Sequence, residues 1–531
     1  MRMNFHILHR ITAACSLALL LLTSCYGDQG NYDYREINEV TIGGIDRENV
    51  YVAYAYQTTL EITPEITSTM SDEANYEYTW RIIPRDADTN KGASLDEFIV
   101  SRERNLVYPV QLSDGDYTGF FEVKDPSTGV TWIEDFYLQV ISQGSTGWLV
   151  ACREEGRTRL DLIGKDSNGE NDVLYADLWK TVDFDMGEPQ HLFFVGDNYA
   201  SYLGFPVLVT DKGSYSINGN DFHIGEDTDL KWYFGTVSDR ILIANSTIEL
   251  YTTTWVANWW VISQEGQIYW TECTDRAFFS YPINYADGQT EFQAAPFVGV
   301  SYTYNDTDED YNYNYATIFY DAQGRRFMAK YGASYYPALM QCSGRQLFDV
   351  ETGRDMVFMD SHYEIDGQVV AVLKEPDSPR YFLYGMMLGF AKIEQNYYGE
   401  IGGPAADARF FALHPSYNVL FYATENKVYR VNLADPETAT EVISLDEGEE
   451  IAALKFNKIL NVWGTPGADV YMYNLVVCSN KKNPTAGEQN IGTFRLYDVP
   501  ELASGSVTEK TRIEGLGEIV DVVYKEKGPE N

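Results

Sequence analysis

Between Ser301 and Phe319 the chain reads SYTYNDTDEDYNYNYATIF. Tyr302 and Tyr304 are two apart, and so are Tyr311, Tyr313 and Tyr315; in a strand each set shares one face. Asp306, Asp308 and Asp310 fall in the turn between. The pattern predicts a hairpin with a tyrosine face and an acidic tip. Three chemistries fit it. The tyrosines can pair across strands against a neighbouring loop. They can form an aromatic platform for sugar rings or peptide chains, since flat rings stack on apolar faces while hydroxyls hydrogen-bond. The alternating aspartates can also hold calcium through oxygen. Tyr311 stands where an EF-hand needs glycine and Thr317 where it needs glutamate, so only an irregular calcium site stays open beside the expectation of no cofactor. A second stretch, TTTWVANWWVIS (252–263), offers Trp255, Trp259 and Trp260. Trp260 reads as core at the head of a strand. Trp255 and Trp259, on its approach, either pack or line the same face as the tyrosines.

Catalytic chemistry is harder to find. After the first 24 residues the histidines are His191, His223, His362 and His414, none in HExxH or another metal spacing. His414, in FALHPSYN, reads as a capping or packing residue beside a turn. There is no GxSxG elbow, Walker loop or dinucleotide glycine pattern. A glycosidase needs only two carboxylates about 5–10 Å apart, and 79 acids neither exclude nor locate such a pair. The expectation leans away from an enzyme.

The elements that must hold these residues are strands. The 41 Tyr, 26 Phe and 10 Trp favour strands, and no long helical periodicity follows residue 24, so the fold class is all-β. Residues 36–142 read as one immunoglobulin-like sandwich: YEYTWRII, GDYTGFFEVKD and TWIEDFYLQVIS nearly alternate, with Trp80 mid-strand and Tyr117 just after a tight turn. STGVTW (127–132) reads as a hairpin turn. Residues 147–526 repeat a different unit, an apolar strand, a polar turn and a second strand. Its instances begin at Trp148, Val207, Trp260, Ala316, Val369, Asn418 and Asn474. Units spaced about 50–60 residues apart are too small to stand alone and must bury their faces on neighbours. Seven of them predict a β-propeller of about seven blades, with EIVDVVYKE (518–526) closing the ring.

The start of the chain sets the compartment. Arg2 and Arg10 precede an apolar run at 11–22, too short to span a bilayer. The run ends in Leu22-Thr23-Ser24-Cys25, which resembles the bacterial lipobox. Residues 1–24 are thus expected to be a signal peptide, Cys25 the lipidated residue, and 25–35 a tether. Two or more acyl chains anchor a protein stably. Tyr26, rather than an Asp, follows the cysteine, which favours the outer membrane; Asp28 and Asp33 beyond it lean toward the cell surface. Removing the leader takes two arginines and no acid, leaving 37 basic residues against 79 acidic. A nucleic-acid partner is excluded, because it needs a basic footprint. Cys152, Cys273, Cys342 and Cys478 show no metal spacing, and whether they pair is not legible.

Cys25, Tyr26, Asp28, Gly30, Asn31, Tyr32, Glu36, Ile37 and Asn38, followed by GWLVACREEGRTRLDLI, resemble the PKD-like family of Bacteroidetes-type surface lipoproteins. The resemblance is close over 25–42 and loose elsewhere. It implies an accessory role beside Sus-type nutrient-import machinery, a TonB-dependent transporter and its lid lipoprotein, capturing glycan or peptide. It brings no catalytic motif. The rivals are a propeller-fold glycan hydrolase or lyase, and a purely structural transporter subunit.

Overall fold

The computed structural model describes residues 38–526 except 48–49, 55–57, 70–74, 86–94, 113–114, 142–145, 166–171, 197–203, 220, 236–238, 251–256, 273–277, 302–315, 333, 366, 390–391, 459–470 and 501–504. It is all-β, and the chain divides into two compact units. In the first, strands Glu77–Pro84, Gly115–Lys124 and Thr131–Ile141 adjoin in one sheet, and Val40–Gly43 pairs with Glu65–Ser68 in another. Trp80 is fully buried, stacked 4.2 Å from Phe121 and edge-on to Phe136, with its indole N–H donating to the Glu103 carbonyl at 3.0 Å. Phe136 lies so flat on Gly119 that a Cβ there would fall 2.0 Å from the ring. STGVTW forms the expected turn: Asp125 accepts from the backbone and hydroxyl of Ser127, and its own N–H reaches the Val130 carbonyl.

Among the described residues the second unit contains seven larger sheets in succession, each built on one hairpin expected from the sequence; they are antiparallel except where Cys342–Ser343 joins the fifth in parallel, and Tyr285–Ala286 with Thr290–Glu291 forms a small separate ribbon. Those hairpins join Gly147–Glu154 to Arg157–Lys165, Gly204–Thr210 to Ser214–Ser216, Ala257–Ser263 to Ile268–Glu272, and Ala316–Asp321 to Arg326–Tyr331. The rest join Gln368–Lys374 to Tyr381–Gly389, Val419–Ala423 to Lys427–Asn432, and Asn474–Lys481 to Gly492–Asp498. In sheets two, three, five, six and seven a strand precedes the hairpin; in sheet four isolated bridges at Ala294 and Gly299 take that place. In sheet one the place is filled from the far end of the sequence by Glu518–Lys525, paired antiparallel with Gly147–Glu154.

Each central strand buries both faces, the pattern of a sheet covered on two sides. In Gln368–Lys374, Val369, Ala371 and Leu373 pack with Ile318 and Phe327 of sheet four, while Val370 and Val372 pack with Leu413 and Leu420 of sheet six. The same division recurs in every pair of neighbours. Sheets one and two meet at Leu160, Leu192 and Leu208, two and three at Val207 and Val261, and three and four at Trp260 and Phe319. Six and seven meet at Phe421 and Val477, and seven and one at Val476, Phe494, Trp148 and Val522. Burying one such side chain stabilises by roughly 1.5–3 kcal/mol, so the sheets depend on one another. Cys152 and Cys478 lie unbonded in the seven–one layer, where burial pushes both thiols up, Cys478 to about 12; Cys342 is free too.

Candidate ligand surface

Sheets five to seven end in regular outer strands, Lys392–Glu400, Asp435–Ser444 and Thr508–Leu516. Their exposed positions are mostly charged or polar, among them Lys392, Glu394, Glu437, Glu441, Glu509 and Arg512, with Tyr398 an exposed aromatic on sheet five. Sheets two to four differ. After the third strand their chain turns irregular, and Pro282 and Pro337, which have no N–H to give a ladder, fall in these segments. Single bonds tie the segments to the sheet instead: Ser216 Oγ to the Thr228 carbonyl, Ser280 N to the Trp270 carbonyl and Ile283 N to the Ile268 carbonyl.

These irregular segments expose aromatic rings. Trp232, Phe278 and Tyr281 are 63%, 71% and 73% exposed, and Tyr233, Tyr335 and Tyr336 are exposed as well. Buried partners set their positions. Phe234 and Phe279 stack at 4.1 Å with planes 6° apart, and the Phe279 N–H donates to the Tyr233 carbonyl at 2.9 Å. Tyr233 and Phe278, the sequence neighbours of that stacked pair, are carried to the surface with it. Trp232 donates its indole N–H to the Glu226 carbonyl at 3.2 Å, and Lys231 Nζ stands 5.0 Å from its ring centroid. Between sheets three and four Tyr336 meets Tyr285 and Tyr335 edge-on, at 6.2 and 4.8 Å. The sequence held a usable signal here. KWYF, AFFSYPINY and ASYYPAL are aromatic without the alternation that would place them in a core.

Most residues singled out from the sequence lie outside the described residues: Cys25, Cys273, Trp255, Asp306, Asp308, Asp310, Tyr302, Tyr304, Tyr311, Tyr313 and Tyr315. Trp259 is described, and the structure places it in the core. It lies within the strand Ala257–Ser263, 5% exposed, against Phe205 and Phe279, with its N–H on Ser246 Oγ at 2.9 Å. It faces sheet two, whereas Trp260 faces sheet four. Beside Trp260 lies a carboxylate that sequence reasoning missed. Glu249 is buried and accepts from Trp260 Nε1 at 2.7 Å, Asn258 Nδ2 at 3.3 Å and Thr317 Oγ1 at 3.1 Å. Burial raises its pKa, and burial lowers that of nearby Lys330. Glu249, Asn258 and Thr317 flank segments 251–256 and 302–315, so this one carboxylate binds the roots of both.

Two buried histidines form a second polar cluster. His414 Nδ1 accepts the backbone N–H groups of Ser416 and Tyr417, both at 3.1 Å, as its sequence position beside a turn predicted. Its ring lies between Tyr417 and Phe456. His362 is equally buried, and neither of its ring nitrogens has a hydrogen-bond partner. Burial lowers the pKa of His362 to about 3, helped by Lys458, and that of His414 to about 4, against an opposing pull from Glu364. Both rings are neutral at pH 7. Tyr473 bonds Glu364 and Lys458 pairs with Asp360 close by. Among the described residues no three His, Cys, Asp or Glu side chains come together as a metal set. Among the same residues no helix is long and apolar enough to cross a membrane.

A model of the PKD-like family matches residues 25–184. A comparison with curated proteins returned no match. Among solved structures, a quinonprotein alcohol dehydrogenase-like protein from Bacteroides thetaiotaomicron is 12% identical, covering 93% of this chain and 97% of its own, with a TM-score of 0.36. A protein from Lactobacillus plantarum is 10% identical over 72% of this chain and 100% of its own, with a TM-score of 0.43. PorZ, a surface component of the type-IX secretion system of Porphyromonas gingivalis, is 13% identical over 74% of this chain and 43% of its own, at 0.31.

Proposed function

We propose that this chain is a lipid-anchored surface protein whose seven sheets are the blades of one propeller, and that it binds ligand on the perimeter of blades two to four. The observation that carries the binding role is the placement of the exposed aromatics. On three consecutive sheets, and at the same position in each, a regular outer strand gives way to a segment presenting Trp232, Phe278, Tyr281 and Tyr336. Exposing large rings is unfavourable unless something covers them, and contiguous exposed apolar surface marks an interaction site. The layers between every pair of neighbouring sheets, including seven with one, support the propeller reading. The family match begins at Cys25 itself, which supports the anchor.

The nutrient-uptake role follows as the biological setting: a non-enzymatic accessory of a Sus-type system, presenting glycan or peptide to a TonB-dependent transporter and its lid. The test is a panel of oligosaccharides and peptides offered to the purified chain and to a Trp232→Ala/Phe278→Ala/Tyr281→Ala variant. A ligand bound by the first and lost by the second is the expected result. A panel in which every bound ligand ignores the substitutions overturns the surface. Cys25→Ser should move the protein from the detergent phase to the aqueous phase; unchanged partition would refute the anchor.

A further inference from the structure

The charges around the aromatic perimeter narrow the ligand. In the described outer segments 217–235, 278–293 and 334–341 the acids are Asp221, Glu226, Asp227, Asp229, Asp287 and Glu291, and the one lysine or arginine is Lys231. The whole chain carries 79 acids against 39 bases, so this surface is several times more one-sided than its surroundings. Lys231 is itself committed, its amine 3.1 Å from Asp229 and over the Trp232 ring. Asp227, 72% exposed at its side chain, follows that ring's carbonyl partner Glu226 and is held by His223, whose Nε2 lies 3.1 and 3.0 Å from its two oxygens. Rings that carry a negative face, bordered by carboxylates and, among the described residues of these segments, offering no free lysine or arginine, are built for positive charge. The contact between Lys231 and Trp232 is an intramolecular instance of that recognition.

Resting on the binding role proposed above, we infer that the Trp232–Phe278–Tyr281 surface takes the ammonium or guanidinium groups of a basic peptide. The rings hold the cation and its aliphatic stem, while Glu226 and Asp227 supply the counter-charge. An anionic polymer meets repulsion here, and a neutral sugar leaves the carboxylates unused.

The experiment uses a short blocked peptide with alternate lysines and its counterpart with glutamine at those positions, titrated calorimetrically into the full chain. The lysine peptide should bind at least about tenfold more tightly than the glutamine peptide. Raising salt from about 0.05 to about 0.5 M should weaken it, since partly exposed charge pairs are screened. Trp232→Ala/Phe278→Ala removes no charge and alters exposed side chains, so it keeps the fold; it should cost the lysine peptide about tenfold or more. Binding unchanged in that variant would mean diffuse attraction to an acidic protein and would overturn the inference. Equal binding of the two peptides, or binding of neutral oligosaccharides alone, overturns it too. In that last case the aromatic surface still stands if the alanine variant loses the sugar. Loss of every ligand's dependence on the rings sinks both.

Discussion

Acid should destabilise the second unit through two side chains in particular. His362 and His414 have pKa values lowered to about 3 and about 4 in the folded protein, against about 6.5 in an unfolded chain. The folded values are the lower ones, so the unfolded state binds protons that the native state refuses. Their neutral burial costs nothing above pH 6.5. As pH falls below 6.5, stability is lost, and the loss continues until the folded pKa is reached. Between pH 7 and pH 5 each residue should remove on the order of 2 kcal/mol, at 1.36 kcal/mol per pKa unit, or about 4 kcal/mol together. Urea unfolding at the two pH values measures this, with His362→Leu/His414→Asn as the control; asparagine can still accept from the N–H groups that His414 caps. The wild type should lose about 4 kcal/mol more than the variant over that interval. Ring proton resonances give an independent reading and should stay unshifted down to pH 5. A midpoint near 6.5 for either ring, or equal acid sensitivity in both proteins, would refute the reasoning.

Trp259→Ala should cost roughly 3–5 kcal/mol, the range for emptying a large aromatic from a core, and it should lower the thermal midpoint without a selective effect on ligand affinity. Glu449→Gln should cost about 3 kcal/mol, because it takes the nearest carboxylate charge from the buried Arg495, now bonded to Glu449 at 2.7 and 2.9 Å, and leaves it only Glu509 at 3.7 Å; urea midpoints check it. No such loss would mean the guanidinium finds water or Glu509 instead.

The seven hairpins were legible because each sits around a polar turn and drives two apolar strands through the packed layers. The strand Glu518–Lys525 was legible for the same reason, as one more apolar run. Of the two readings left open for Trp259, packing is the one found, and the physical cause of the ambiguity is plain. A strand buried on both faces shows no alternation, so Trp259 and Trp260, which face opposite layers, read as an approach followed by a core residue. Glu249 was invisible among 79 acids, since only the fold brings Trp260, Asn258 and Thr317 to it. Trp232 and Phe278 stand in short aromatic runs, less conspicuous in the sequence than the denser tyrosines at 302–315. Their lack of strand periodicity was the cue.

Glu518 and Arg153 are ion-paired although 365 residues separate them. Translation proceeds from the other end. Until the final strand emerges, Gly147–Glu154 has an open edge, and Trp148, Val150 and Cys152 lack the cover of Ile519, Val522 and Tyr524. Nearly the whole second unit must be made before its first sheet can finish. Such a long wait favours slow folding and sticky intermediates. It makes a late frameshift as damaging as an early one.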